Sequence, residues 1–119
     1  MYNFRTDLAL ERRDLYKRAN NIENEVDGIE TEEEKVDEDI RITRVKVLNE
    51  NGEKAIGKKV GNYITIDINN LKIAGQEQIQ KASDTLTKEL KELLKKHIGE
   101  QEPILVVGLG NLYVTPDAL

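Results

Sequence analysis

The residues best placed to do chemistry lie near the carboxyl end, in Asn111-Leu-Tyr-Val-Thr-Pro-Asp117. They follow a short apolar run, Ile104 to Val107, and a glycine-flanked turn, Gly108-Leu-Gly110. A buried strand that ends in a tight turn and hands a carboxylate to a helix start is a common way to build an α/β active site. Thr115 suits an N-cap, and Pro116 suits the first helical position, where its missing N–H costs nothing. Asp117 then falls in the first turn, where the helix dipole favours its ionised form. A carboxylate held ionised can activate a water as a general base. Amide hydrolysis also needs an acid for the leaving amine, and a second carboxyl whose pKa is raised by Asp117 would supply that proton. No residue in the chain has a spacing that identifies it as this partner. Spacing alone equally fits Asp117 as an ordinary capping residue at a helix start.

Other constellations fail on inspection. Gly52-Glu-Lys-Ala-Ile-Gly57-Lys58-Lys59 nearly spells a phosphate-binding loop. Lys59, however, replaces the Ser/Thr that would hold magnesium, and a strand is expected where a helix must begin. Gly108 and Gly110 begin a dinucleotide pattern, but Tyr113 occupies the third glycine position. The single Ser, Ser83, and the single His, His97, fall on one expected helix. Their separation there is roughly 21 Å, too far for a triad. His97 reads better as a cation near a helix C-terminus. With one His and no Cys, disulfides, thiol nucleophiles and a conventional zinc site are excluded, and no cofactor is expected.

With 119 residues, there is room for one domain or part of a larger one. A net charge of −5 and only five Tyr and Phe residues, with no Trp, argue against a nucleic-acid partner. The amino end lacks an apolar signal-peptide core and no stretch approaches membrane-spanning length, so a cytoplasmic location away from any membrane is the default.

The elements that must position the candidate site are legible in part. Leu15, Ala19, Ile22 and Val26 recur at helical spacing, giving an expected helix from about Leu8 to Asn21. Residues 23–39 carry ten acidic side chains against Lys35 alone, the composition of a solvated, loop-like segment. Ile40-Arg-Ile42 and Val45-Lys-Val47 alternate with a phase slip between them, as a bulge would produce. Asn49-Glu-Asn-Gly52 is a turn signal. Ile64, Ile66 and Ile68 form a second alternation, and the two read as an antiparallel pair with a long connection. Ile79, Ala82, Leu86, Leu90, Leu93 and Leu94 make one stripe of a helix over about 76–98, closed by Gly99. The wholly apolar run Ile104–Val107 reads as a parallel strand buried on both faces, which needs neighbours this chain is too short to supply.

Leu105-Val-Val-Gly-Leu-Gly-Asn111 with Val114-Thr-Pro-Asp-Ala-Leu119 resembles the signature of the germination protease family of endospore-forming bacteria. Arg5-Thr-Asp-Leu-Ala-Leu-Glu11 resembles that family's amino-terminal processing region. Thr43-Arg-Val-Lys-Val47 and Ile56 to Thr65 resemble its strand pair. The resemblance implies an atypical aspartic endopeptidase, needing no metal, that degrades small acid-soluble spore proteins when germination begins. It implies a zymogen that removes its own amino-terminal peptide, and a homo-oligomer, a tetramer by family habit, in the forespore or spore core. Asp117 would be the first of two catalytic aspartates, the second lying beyond Leu119, with Gly108, Gly110, Asn111 and Thr115 shaping the active-site turn. Family substrates are cut after an acidic residue and before an apolar one followed by Ala. Asp7-Leu8-Ala9 fits, so residues 1–7 are expected to be a propeptide and 8–119 the amino-terminal part of one protease domain. The expected fold class is α/β: a mixed sheet with flanking helices, phosphorylase/hydrolase-like and incomplete in this chain, which alone would be inactive.

Two other readings compete. Hydrogenase-maturation endopeptidases resemble the strand, the Gly-x-Gly-Asn turn and the following acid, which in that family ligates nickel. A non-catalytic interaction module would use the acidic block of residues 23–39 to dock basic partners or to mask a cleft.

Overall fold

The computed structural model describes residues 8–70, 75–97, 99 and 101–110. Its element order is α1 (Ala9–Ala19), β1 (Ile29–Lys35), β2 (Ile40–Val47), α2 (Glu50–Ile56), β3 (Gly61–Ile68) and α3 (Gln76–His97). The class is α/β, as expected, with the three strands forming one antiparallel sheet in the order β1-β2-β3. The chain separates into two compact units, Met1–Asn69 and Asn70–Leu119.

In the first unit, β2 is the central strand. Its register is continuous, from Ile40 opposite Ile68 to Val47 opposite Gly61 on one side and from Arg41 opposite Lys35 to Val47 opposite Ile29 on the other. The expected bulge is therefore absent. The phase slip has another cause, because successive residues of a strand face opposite sides. Ile40 and Ile42 are buried on one face of the sheet, while Thr43, Val45 and Val47 are buried on the other. On that second face Val45 and Val47 join Ala9, Val26, Ile29 and Ile56 in a buried cluster, with Leu10, Tyr16, Ala55 and Tyr63 packed against it. On the first face, Ile64, Ile66 and Ile68 of β3 share the side of Ile40 and Ile42.

Strand β1 overturns the loop-like reading of the acidic stretch, since seven of its residues enter the sheet. Ile29, 3% exposed, anchors the strand in the cluster. An edge position lets the glutamates reach water, and β2 supplies the counter-charge. Arg44 Nη1 lies 3.3 Å from Glu32 Oε1, and its Nη2 lies 2.9 Å from Glu34 Oε1. The turn into β2 is held by Asp37, whose Oδ1 accepts from the N–H groups of Asp39 and Ile40 at 2.8 and 3.0 Å.

The residues read as a turn, Asn49 to Gly52, instead start α2. Asn49 is its N-cap, with Oδ1 accepting from the N–H groups of Asn51 and Gly52, which satisfies two donors that a helix start leaves open. Gly57 closes the helix in the left-handed conformation, φ 70°. The two glycines that mimicked a phosphate loop thus have structural roles. Gly52 is there because the first turn of α2 lies directly on the backbone of Gly28, itself at φ 83°. A Cβ on Gly52 would collide with the Gly28 carbonyl oxygen, and one on Gly28 would meet Gly52 N at 2.5 Å. The loop that follows is pinned by Glu53 Oε2, which accepts from Val60 N–H at 2.8 Å.

The second unit contains α3, with bounds close to those read from the apolar spacing. The buried line along it is Ala82, Thr85 and Glu89. Most of the apolar stripe lies beside that line and stays open: Ile79, Leu86, Leu90 and Leu94 are 40–51% exposed. The strand expected at Ile104–Val107 does not form among the described residues, and its side chains are exposed. A run apolar on both faces is a strand only where neighbours hydrogen-bond to it, and no described residue does so.

Backbone cannot retreat from an added methyl as a flexible side chain can, so Gly52→Ala is expected to cost about 1–3 kcal/mol, the range for overpacking. Denaturant unfolding of the variant beside the parent checks this. An unchanged midpoint would show that α2 does not rest on Gly28.

Candidate functional site

Of the residues singled out in the sequence, Leu8, Gly108 and Gly110 are described, whereas Asp7, Asn111, Thr115 and Asp117 lie outside the described residues. Leu8 belongs to the first unit and the two glycines to the second. Gly108 and Gly110 are exposed, and a Cβ on either would meet nothing within 4 Å.

Leu8 stands at a boundary. It is the N-cap of α1 with extended backbone, φ −86° and ψ 133°, and its side chain makes no capping hydrogen bond. The next residue, Ala9, is 4% exposed and is a member of the buried cluster. Leu8 therefore stands immediately before the first buried residue of α1. A protease that reads its substrate as an extended strand also has to open the first turn of α1 to engage Ala9.

Three side chains on that first stretch of α1 were not identified from the sequence. Glu11 sits at the third helical position, and its Oε2 is buried with no hydrogen-bond partner. The available signal was its spacing of three from Leu8. Arg12 Nη1 donates to Ile56 O at 3.4 Å, tying α1 to the carbonyl end of α2, where a cation also suits the dipole. Arg13 grips Glu25 in a two-point pair, Nε to Oε1 and Nη2 to Oε2, both 3.0 Å, while its Nη1 donates to Asp14 Oδ1 at 2.9 Å. The parallel fork geometry is what guanidinium and carboxylate favour.

Burial alone would raise the Glu25 carboxyl. The Arg13 hydrogen bonds, the Val26 N–H donated to Oε1 at 3.0 Å and the Arg13 charge outweigh burial and hold it below the usual glutamate range. The Glu25 hydrogen bond, opposed by burial and aided by the charges of Glu25 and Asp14, raises Arg13 in turn. This pair fixes the segment between α1 and β1. An ionised glutamate already neutralised by arginine is a poor proton acceptor, so its role is architectural.

An open depression of about 540 Å³ at the end of α1 is lined by Asp14, Lys17, Arg18, Asn21, Ile22 and Glu23. Both charge signs share its walls, and Ile22 alone adds an aliphatic surface. Among the described residues no group of three or more His, Cys, Asp or Glu is arranged to hold a metal ion. No described helix is long and apolar enough to cross a membrane.

The family model for germination protease matches residues 7–119. A germination protease of Clostridium perfringens is 46% identical over 119 residues, covering all of this chain and 35% of the relative. One from Caldanaerobacter subterraneus is 48% identical over 118 residues, covering 97% of this chain and 33% of the relative. One from Oceanobacillus iheyensis is 39% identical over 122 residues, covering 99% and 33%. The chain spans about a third of the length of the curated relatives it matches.

The direction of the Glu25 shift sets an acid dependence. Its folded carboxyl titrates below an unfolded value of about 4.3. The pair therefore stabilises the fold above that pH, and the contribution is lost as pH falls through the folded value. Glu25→Gln is expected to lower stability by about 1 kcal/mol or less at pH 7, given partial exposure, with the gap closing in acid. Thermal melts of both forms from pH 7 into acid check this, and a gap that does not narrow as the pH falls would refute it.

Proposed function

This chain belongs to the germination protease family, and we propose that it works as the amino-terminal part of a self-processing endopeptidase. Its substrates are the small acid-soluble proteins of the spore, degraded at germination. The observation that carries this reading is the span of the family match, residues 7–119, which takes in both Asp7-Leu8-Ala9 and Thr115-Pro116-Asp117.

Asp117 is the ionised member of an aspartate pair whose second member lies outside this chain. It takes a proton from the water between them as the water oxygen attacks the scissile carbonyl. The partner, kept protonated by the like charge beside it, polarises that carbonyl and then protonates the departing amine. Pro116 and Thr115 set the helix start that keeps Asp117 ionised. Gly108, Gly110 and Asn111 form the turn that carries the segment past the substrate. No metal or other cofactor enters this scheme.

The same cleft cuts the chain's own peptide between Asp7 and Leu8. Two structural features support that choice of bond. The cut leaves all of α1 in place, together with Ala9, the first member of the buried cluster among the described residues. Leu8 is already extended, so only the first turn of α1 has to open. The mature enzyme acts as a homo-oligomer in the spore core and handles protein substrates without touching nucleic acid, consistent with the acidic balance of this chain.

In the full-length protein, Asp117→Asn is expected to lower the rate of spore-protein digestion by about 10²–10⁴-fold, the usual contribution of a positioned base. Circular dichroism checks that the fold is kept, and digestion at the parental rate would end the proposal. Asp7→Lys should leave the amino terminus uncut, as read by intact-mass measurement. Normal maturation of that variant would place the processing bond elsewhere.

A further inference from the structure

Glu11 carries an observation that the proposed mechanism does not use. Its Oε2 is buried without a hydrogen-bond partner, although a buried carboxylate oxygen is costly to leave unmatched. It stands at the third helical position of α1, behind an N-cap residue, Leu8, whose side chain makes no cap. A glutamate at that position is spaced to reach back to the backbone nitrogen of the N-cap residue.

We infer that Glu11 is the receptor for the α-ammonium that appears on Leu8 when the Asp7–Leu8 bond is cut. This rests on the processing reading above. Hydrolysis adds the water's hydroxyl to the Asp7 carbonyl carbon and its hydrogen to the Leu8 nitrogen. The new carboxylic acid then passes its proton to the new amine, leaving a carboxylate on the departing peptide and an ammonium on Leu8. One amide N–H becomes three N–H donors and a positive charge, three residues from an unmatched carboxylate oxygen. The bond that forms is charge-assisted at both ends. It also offsets a cation at the positive end of α1, where the dipole would otherwise fray the first turn. Because Ala9 lies in that turn and in the buried cluster, the cut strengthens the element it exposes. Processing therefore runs one way: the turn that opens to be cut is held shut afterwards.

The test uses full-length protein released from a removable leader so that it begins at Leu8, which makes it independent of self-cleavage. Each of the parent and Glu11→Gln is prepared with a free and with an acetylated Leu8 nitrogen. The parent is expected to lose about 2 °C or more of thermal midpoint on acetylation, and Glu11→Gln to lose none. As a second readout, the free Leu8 amine should react with an acylating reagent at pH 7 several-fold more slowly in the parent than in the variant, since the ion pair favours the protonated nitrogen and only the neutral amine attacks. An equal acetylation effect in both proteins, or equal acylation rates, overturns the inference. Failure of the full zymogen to cut itself would instead remove the processing reading, and leaves these two measurements unaffected.

Discussion

The first unit depends on one strand being wanted on both of its faces. β2 is central in the sheet, and its two halves bury residues in opposite directions: Ile40 and Ile42 one way, Thr43, Val45 and Val47 the other. A one-residue slip in its pairing would exchange those sets with Arg41, Arg44 and Lys46, placing charge where apolar surface is buried on both sides at once. A strand with one buried face meets this penalty once, and β2 meets it twice. Its register then dictates where Ile29 and Tyr63 stand, and through the cluster where α1 and α2 dock.

From that frame the amino-terminal boundary follows. α1 is held at its first residue by Ala9 in the cluster, at Arg12 by the end of α2, and at Arg13 by Glu25. Those attachments crowd the first turn against the fold, so whatever happens at Leu8 is felt by packed residues. Ala9, at the very start of α1, is already buried, a placement that composition alone does not reveal.

The legible parts of the fold were those in which one physical signal acted alone. α3 combined apolar spacing with basic residues and a closing glycine, and its bounds were read nearly unchanged. The β2–β3 pairing followed from alternating isoleucines. Where one residue answered to two rules, the reading went astray. Asn49 and Gly52 satisfy a turn pattern and a helix start equally well, and only the contact with Gly28 decides between them. The glutamates of β1 carry the composition of a solvated loop, and a single buried anchor, Ile29, draws them into the sheet. Val45 and Val47 suggested a bulge because burial of the second face could not be foreseen. The run Ile104–Val107 depends on partners that no local pattern contains. For the candidate site, Asp7 and Asp117 rest on motif likeness and lie outside the described residues. The unmatched oxygen of Glu11 is a property of packing, and only coordinates reveal it.

The acidic outer strand has a consequence for how molecules meet in concentrated protein. β1 is the last strand of its sheet, and among the described residues its outer edge has no neighbour, so its free backbone groups could template pairing with another copy. Glu30, Glu32, Glu33 and Glu34 line that edge, and two such margins approaching each other repel. The guard is electrostatic, and it weakens as salt screens it.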